Sequence, residues 1–400
     1  MIPLSFNKTL VKIVYLTLFL ISLSVYGKVY FVTGSDVPAR ADFRAFITAA
    51  DMIKGEDADH LYDLSYQIKW QSIRFGDLFP INKINLLVFV YPPWVATLLI
   101  PLGGLTSHIA YLIFMAINIM VLTGCAILIK LLIQEHTDIS WIFIWLFIAF
   151  PPVMWTLMQG QFSLWLLLGL LGCWYGISKD FQIFAGLALG LLLIKPYLLL
   201  FPCIYLFFIK RWRAIFGLSI AVLLSFVLCM PLGGWNIIKE WISLSKIISQ
   251  SHGQYGVYPE SMHTIKGVLY SLKEILMITD LRFWWVVTAG VITIIIIYLL
   301  WGASREKKDH LDSTWGLIVL GSLLTAPHAN SHDLILLMPC YMILPFMKFK
   351  KYNNIIIWII IFSLAGIWGS VLYESSEAPR NLITVSSMLI MLFLFTKDTK

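Results

Sequence analysis

Apolar residues fill this chain in long unbroken blocks, and the polar residues between them come in short bursts. Roughly 20 apolar residues in a row are what a helix needs to cross a bilayer. Strands of a membrane barrel would alternate in polarity instead, and these blocks do not. The pattern therefore predicts an all-α polytopic membrane protein with about 12 transmembrane helices. The spans run from about Leu10–Val32 through Asn85–Leu102, Ala110–Leu132, Ile139–Met158, Leu164–Ile177 and Ile183–Ile209. They continue with Ile215–Met230, Phe283–Trp301, Trp315–Leu324, Leu334–Met347, Ile355–Tyr373 and Ile383–Phe395. The first is too long for a signal-peptide core and has no small-residue cleavage site after it, so it reads as a retained helix.

Two polar stretches break this rhythm, 34–85 and 231–282, and basic residues orient them. Lys8 and Lys12 precede the first span, and Lys210, Arg211 and Arg213 form a basic turn. Arg305-Glu306-Lys307-Lys308, the Lys348, Lys350 and Lys351 group, and Lys397 with Lys400 complete the set. Cytoplasmic loops carry such an excess, which puts 34–85 and 231–282 outside. The first of these loops holds six bases against eight acids and is too long to be a mere connector. Within it, Phe43, Phe46, Ile47, Ala50 and Ile53 recur at helical spacing, with Gly55 as the stop signal. An amphipathic helix lying flat on the membrane is predicted. Asp42 stands at its head, where the helix dipole favours a carboxylate. It reads either as a helix cap or as an acid held at the water–lipid boundary. Tyr66–Lys83 suggests a second surface helix. The outer loop 231–282 is rich in aromatics and histidine, among them Trp235, Trp241, His252, Tyr255, Tyr258 and His263.

Prolines interrupt several spans. Tyr91-Pro92-Pro93 bends its helix or delays its start. Pro151-Pro152 precedes the polar trio Gln159-Gly160-Gln161, and Lys195-Pro196 splits Ile183–Ile209 into one kinked helix or two half-helices.

Composition narrows the class without changing it. Only 13% of the 400 residues are charged and 59% are apolar, against about 25% charge in a soluble domain. The net charge of +7 comes from short loops between spans, so nucleic acid is not an expected partner. Cys125, Cys173, Cys203, Cys229 and Cys340 lie in apolar segments without metal-ligand spacing and read as buried spectators. No internal repeat is visible, which disfavours the many transporter folds built from duplicated halves.

Polar groups within or at the edge of a membrane are costly and invite a functional explanation. The candidates are Asp42, Tyr91, Gln161, Lys195, His328, His332 and Asp333, with Arg40 beside the acid as a further substrate-binding candidate. A carboxylate can take the proton of a sugar hydroxyl while that oxygen attacks an activated anomeric carbon. Lys, Arg or His can neutralise a departing phosphate. Each residue also has a plain structural reading. Lys195 snorkels, His328 caps a helix or faces water, Gln161 bonds a neighbouring helix, and Tyr91-Pro92-Pro93 is architectural. The His328, His332 and Asp333 turn is a weak metal candidate, and no metal or cofactor is expected.

These residues resemble a known family. Asp42-Phe43, Phe46, Ala49-Ala50, Gly55 and Leu61-Tyr62-Asp63 are similar to the first external loop of glycosyltransferase family 87. These are bacterial polyprenyl-phosphate-mannose-dependent mannosyltransferases of the GT-C superfamily. Tyr91-Pro92-Pro93 with Pro101, Gly160-Gln161, Ala185-Gly186, Lys195-Pro196, Arg211-Trp212-Arg213 and Pro327 through Asp333 follow in the family's order. The resemblance implies a GT-C helical bundle in a bacterial plasma membrane. It implies an inverting transfer from a polyprenyl-phosphate sugar to a lipid or glycan acceptor at the external face, for building the cell envelope. No nucleotide-sugar and no essential metal would take part. It makes Asp42 the catalytic base and places His332 near the site, with His328 competing for that match. Two other readings share the composition: a transporter or flippase of lipid-linked sugars, and a polysaccharide ligase or membrane acyltransferase.

Overall fold

The computed structural model describes residues 37–133, 150–305, 311–343 and 380–398, together with Leu20 and Ser24. The predicted spans Leu10–Val32 and Ile355–Tyr373 lie outside the described residues, as do the first part of Ile139–Met158 and the end of Leu334–Met347. So do the basic clusters Lys8 with Lys12, Glu306 to Lys308, and Lys348 to Lys351.

Among the described residues every regular element is helical, and only an isolated Gln254–Val257 bridge is strand-like. Three helices are long and apolar enough to cross a membrane: Ser107–Leu132, Trp212–Leu232 and Leu281–Arg305. Shorter apolar helices include Ser163–Ser178, Gln182–Ile194, Pro196–Phe208, Ser313–Leu324 and Asn381–Phe395. The expected Ala110–Leu132, Ile215–Met230 and Phe283–Trp301 thus appear close to their predicted limits. The described residues do not by themselves supply twelve spanning helices. One predicted span is replaced outright: Asn85–Leu102 is no spanning helix. Its only α-helix is Pro93–Leu99, which begins with proline in the first turn. A residue before proline is biased away from helical dihedrals, which applies to Tyr91, and the chain ahead of it over 86–90 is irregular.

Close packing is allowed where residues are small. A side chain on Gly186 would meet the Ala214 carbonyl, and one on Gly217 would meet that of Ile183. These two glycines let the Gln182–Leu189 and Trp212–Cys229 helices approach backbone to backbone.

The first polar loop folds into the body of the protein. Its helix runs Phe43–Lys54 and ends at Gly55, as the periodicity predicts, but Phe43 through Met52 are all buried. It therefore does not lie flat on a surface. The apolar stripe packs into an aromatic cluster, with Phe46 at 5.0 Å from Tyr91 and 5.1 Å from Phe162, and Phe43 at 5.4 Å from Phe114. The opposite face is buried too, because its polar groups find partners. Arg44 donates to the Ala39 carbonyl at 3.1 Å and to that of Asn85. Asp51 pairs with Arg74 and accepts the Gly104 N–H at 2.8 Å. The second loop helix is Leu64–Phe75, capped by Asp63, which accepts the Ser65 N–H at 2.7 Å.

The irregular segment 86–91 has no ladder partner, so side chains serve its backbone. Gln67 accepts the Phe89 N–H at 2.8 Å and donates to the Phe89 carbonyl at 3.2 Å. Gln71 donates to Leu87 O at 2.6 Å, Tyr62 to Tyr91 O at 2.7 Å, and Trp241 to Val90 O at 2.8 Å. Trp241 belongs to the Trp235–Gln250 helix of the second polar loop. The two loops thus clamp one segment between them, and that segment carries Tyr91.

Candidate functional site

A cavity of about 430 Å³ opens where these parts meet. Asp42, Tyr91, Gln161, Lys195, His328 and His332 all line it. Of the candidates, Asp333 lies directly behind Lys195, and Arg40 is exposed and does not line the cavity. The nearby buried guanidinium is Arg44 instead, held by backbone carbonyls.

Asp42 does not use its side chain as a helix cap. Its carboxylate accepts one hydrogen bond, from Gln161 Nε2 to Oδ2 at 2.6 Å. The Tyr91 hydroxyl donates to Gln161 Oε1 at 2.6 Å, which turns the amide so that its N–H faces the acid. Gln159 joins from the other side, its Oε1 accepting the Asp42 backbone N–H at 3.0 Å. Gly160 makes this double grip possible. It ends the Pro151–Gln159 helix at φ 64°, a left-handed conformation that suits glycine. A Cβ there would sit 2.8 Å from Phe43 Cβ. Burial raises the pKa of Asp42, and the Gln161 hydrogen bond partly opposes that rise.

Lys195 sits where the span breaks. It lies between two 3-10 turns, Gly190–Ile194 and Pro196–Leu199, with φ −131° and ψ 80°. Two half-helices meet at the lysine, rather than one kinked helix passing it, as Pro196 disfavours a helical residue before it. Lys195 Nζ lies 2.7 Å from both carboxylate oxygens of Asp333. Ser163 donates to the same carboxylate at 2.8 Å, and the Asn330 N–H at 3.1 Å. Asp333 is therefore saturated and pins the histidine turn to the broken helix. Burial works to raise its pKa, but Lys195 outweighs that and holds it below the ordinary carboxylate range.

The two histidines differ. His332 is buried, with Nε2 3.5 Å from Asp333 Oδ2. The half-buried His328 ring makes no hydrogen bond among the described residues, while its backbone carbonyl accepts from Tyr197 at 2.5 Å. Burial pulls both pKa values down, to about 4 for His328 and about 3 for His332. Both are neutral near pH 7 and bring hydrogen-bonding capacity without charge. Among the described residues no three His, Cys, Asp or Glu side chains gather as a metal site.

The cavity also holds residues that sequence reasoning did not single out as site members: Tyr197, Lys266, Asn330 and, from the second loop, Trp241 and Tyr255. Tyr197 had a signal, since it follows the Lys195-Pro196 break. Lys266 had none, being one of several bases in the long polar segment 231–282.

The model of glycosyltransferase family 87 matches residues 89–327, more than half of the chain. This protein belongs to glycosyltransferase family 87. The match includes Tyr91, Gln161 and Lys195, starts beyond Asp42 and ends just before His328. No curated protein and no solved structure matches the chain. A glycosyltransferase built on apolar helices of spanning length is a membrane enzyme, with a sugar donor and an acceptor as its substrates.

Proposed function

We propose that this glycosyltransferase moves a hexose, mannose by family likeness, from a polyprenyl-phosphate donor to a hydroxyl of a lipid or glycan acceptor. The reaction takes place at the external face of a bacterial plasma membrane, in a single GT-C membrane domain over 1–400. Segment 34–85 is its catalytic loop, and 231–282 forms the opposite wall. The observation that carries this reading is the state of Asp42. It lines the cavity, has no ion-pair partner among the described residues, and accepts a side-chain hydrogen bond at one oxygen only.

The acceptor oxygen attacks the anomeric carbon from the side opposite the phosphate. The bond from that carbon to the phosphate oxygen breaks, and the lipid phosphate leaves with the electron pair. Asp42 takes the hydroxyl proton, so the configuration inverts and a β-linked donor yields an α-linkage. A carboxylate whose pKa is raised by burial is a stronger base.

The purified protein in detergent should convert polyprenyl-phosphate mannose into free polyprenyl phosphate when an acceptor lipid is supplied. Detergent removes any gradient, so a flippase would leave the donor intact. An intact donor under those conditions would end this reading.

Gln161 offers a second check. Its N–H stabilises the charged form of Asp42, which lowers the pKa. Gln161→Ala should therefore move the acid limb of the kcat–pH profile to higher pH. A limb that stays in place or moves down would detach Gln161 from the base.

A further inference from the structure

A departing lipid phosphate needs a cation, and Lys195 does not offer a free one, because both Asp333 oxygens lie 2.7 Å from its ammonium. The described residues place a second ammonium in the same cavity wall, that of Lys266. Lys266 is 8% exposed. Its Nζ lies 3.5 Å from the Ser249 carbonyl and 5.5 Å from the centre of the Trp285 ring. No carboxylate pairs with it among the described residues. A buried ammonium with one long hydrogen bond and an aromatic face is under-satisfied, a costly state unless something else answers the charge.

Trp285 also lines a second space. A groove of about 700 Å³ runs between the Leu200–Phe208 and Leu281–Arg305 helices, lined by Leu199, Leu200, Trp285, Val286, Ala289 and Thr293. Pro196, Tyr197 and Pro327 line both the groove and the cavity, so the two spaces adjoin. Leu281–Arg305 is one of the helices apolar and long enough to cross a membrane, and Val286 on it is 56% exposed. A charged recess that leads into an apolar channel along such a helix suits a phosphate carried on a long hydrocarbon.

We propose that Lys266 receives the phosphate of an isoprenoid-type donor whose chain lies in the adjoining groove along Leu281–Arg305. This rests on the transferase reading and assigns the half of the substrate that Asp42 does not touch.

The test is equilibrium binding to the full-length purified protein in detergent, without acceptor, so that no turnover enters. The probes are decaprenyl phosphate, geranyl phosphate and phosphatidylglycerol. Lys266→Gln should weaken both isoprenoid phosphates about tenfold or more, as expected for loss of a charged hydrogen bond. Lys266→Arg should keep most of the affinity. Gly290 lines the groove with no heavy atom within 4 Å of a Cβ placed on it. Gly290→Phe therefore has room for its Cβ, and its ring should narrow the groove and weaken decaprenyl phosphate while sparing geranyl phosphate.

Unchanged binding by Lys266→Gln would overturn the phosphate assignment. Equal weakening of phosphatidylglycerol would also overturn it, by marking a site for bulk lipid. Equal effects of Gly290→Phe on both chain lengths would overturn the groove assignment. A wild-type protein that binds neither isoprenoid phosphate would overturn the donor reading itself.

Discussion

Asp42→Asn should cut turnover by about 10²–10⁴-fold, the usual contribution of a positioned general base, while the protein folds and purifies normally. The substitution keeps the shape of the side chain, and an amide can still accept from Gln161 Nε2 through its oxygen. It cannot take a proton from an acceptor hydroxyl. Asp42 has no cap bond and no ion pair among the described residues to lose, so stability should change little. Donor binding should survive as well, since the proposed phosphate contact belongs to Lys266. The measurement is kcat in detergent alongside equilibrium binding of decaprenyl phosphate. Turnover near that of the wild type would remove Asp42 from the base role. A loss of binding equal to the loss of turnover would make it a binding residue instead.

The second large effect should fall on stability. Asp333→Asn leaves the buried Lys195 ammonium without its counter-charge, and breaking one side of a buried pair costs about 3–5 kcal/mol. The double variant Lys195→Met with Asp333→Leu removes both charges and should recover much of that loss. Thermal unfolding in detergent would report both. Because Asp333 titrates below the ordinary carboxylate range when folded, its contribution is fully present above the unfolded pKa of about 3.9. It fades only as pH falls towards the lower folded value. Equal unfolding temperatures for the wild type and Asp333→Asn would show that the pair does not hold the histidine turn. Transfer by the double variant should fall far less than in Asp42→Asn, since the Lys195 charge is already spent on Asp333.

The uneven reach of sequence reasoning has physical causes. Helix limits were legible wherever one residue decides them locally. Gly55 ends Phe43–Lys54, whereas the prolines left a bend or a late start open and the helix starts at Pro93. Long spans were legible because a hydrophobic run is its own signal, as at Ser107–Leu132 and Leu281–Arg305. The stripe on Phe43–Lys54 was read correctly as apolar and wrongly as membrane-facing. Periodicity reports which face is buried but not against what, and here the other face is buried as well. From sequence, Tyr91-Pro92-Pro93 bends a span or delays its start. Side chains from two distant loops satisfy the backbone ahead of it and replace the span altogether.

Taken alone, the order of residues was enough for the helical membrane class, for a helix end set by a single glycine such as Gly55, for the family, and for a short roster of polar residues too costly to lie near lipid without purpose. Those properties follow from local sterics and from the solvation cost of single groups. What depended on the folded chain was how those polar residues are paired. Gln161 holds Asp42, Asp333 consumes the charge of Lys195, and Lys266 is left facing the cavity. Such pairings join residues more than a hundred positions apart, and electrostatic interaction depends on distance in space, which no local pattern encodes.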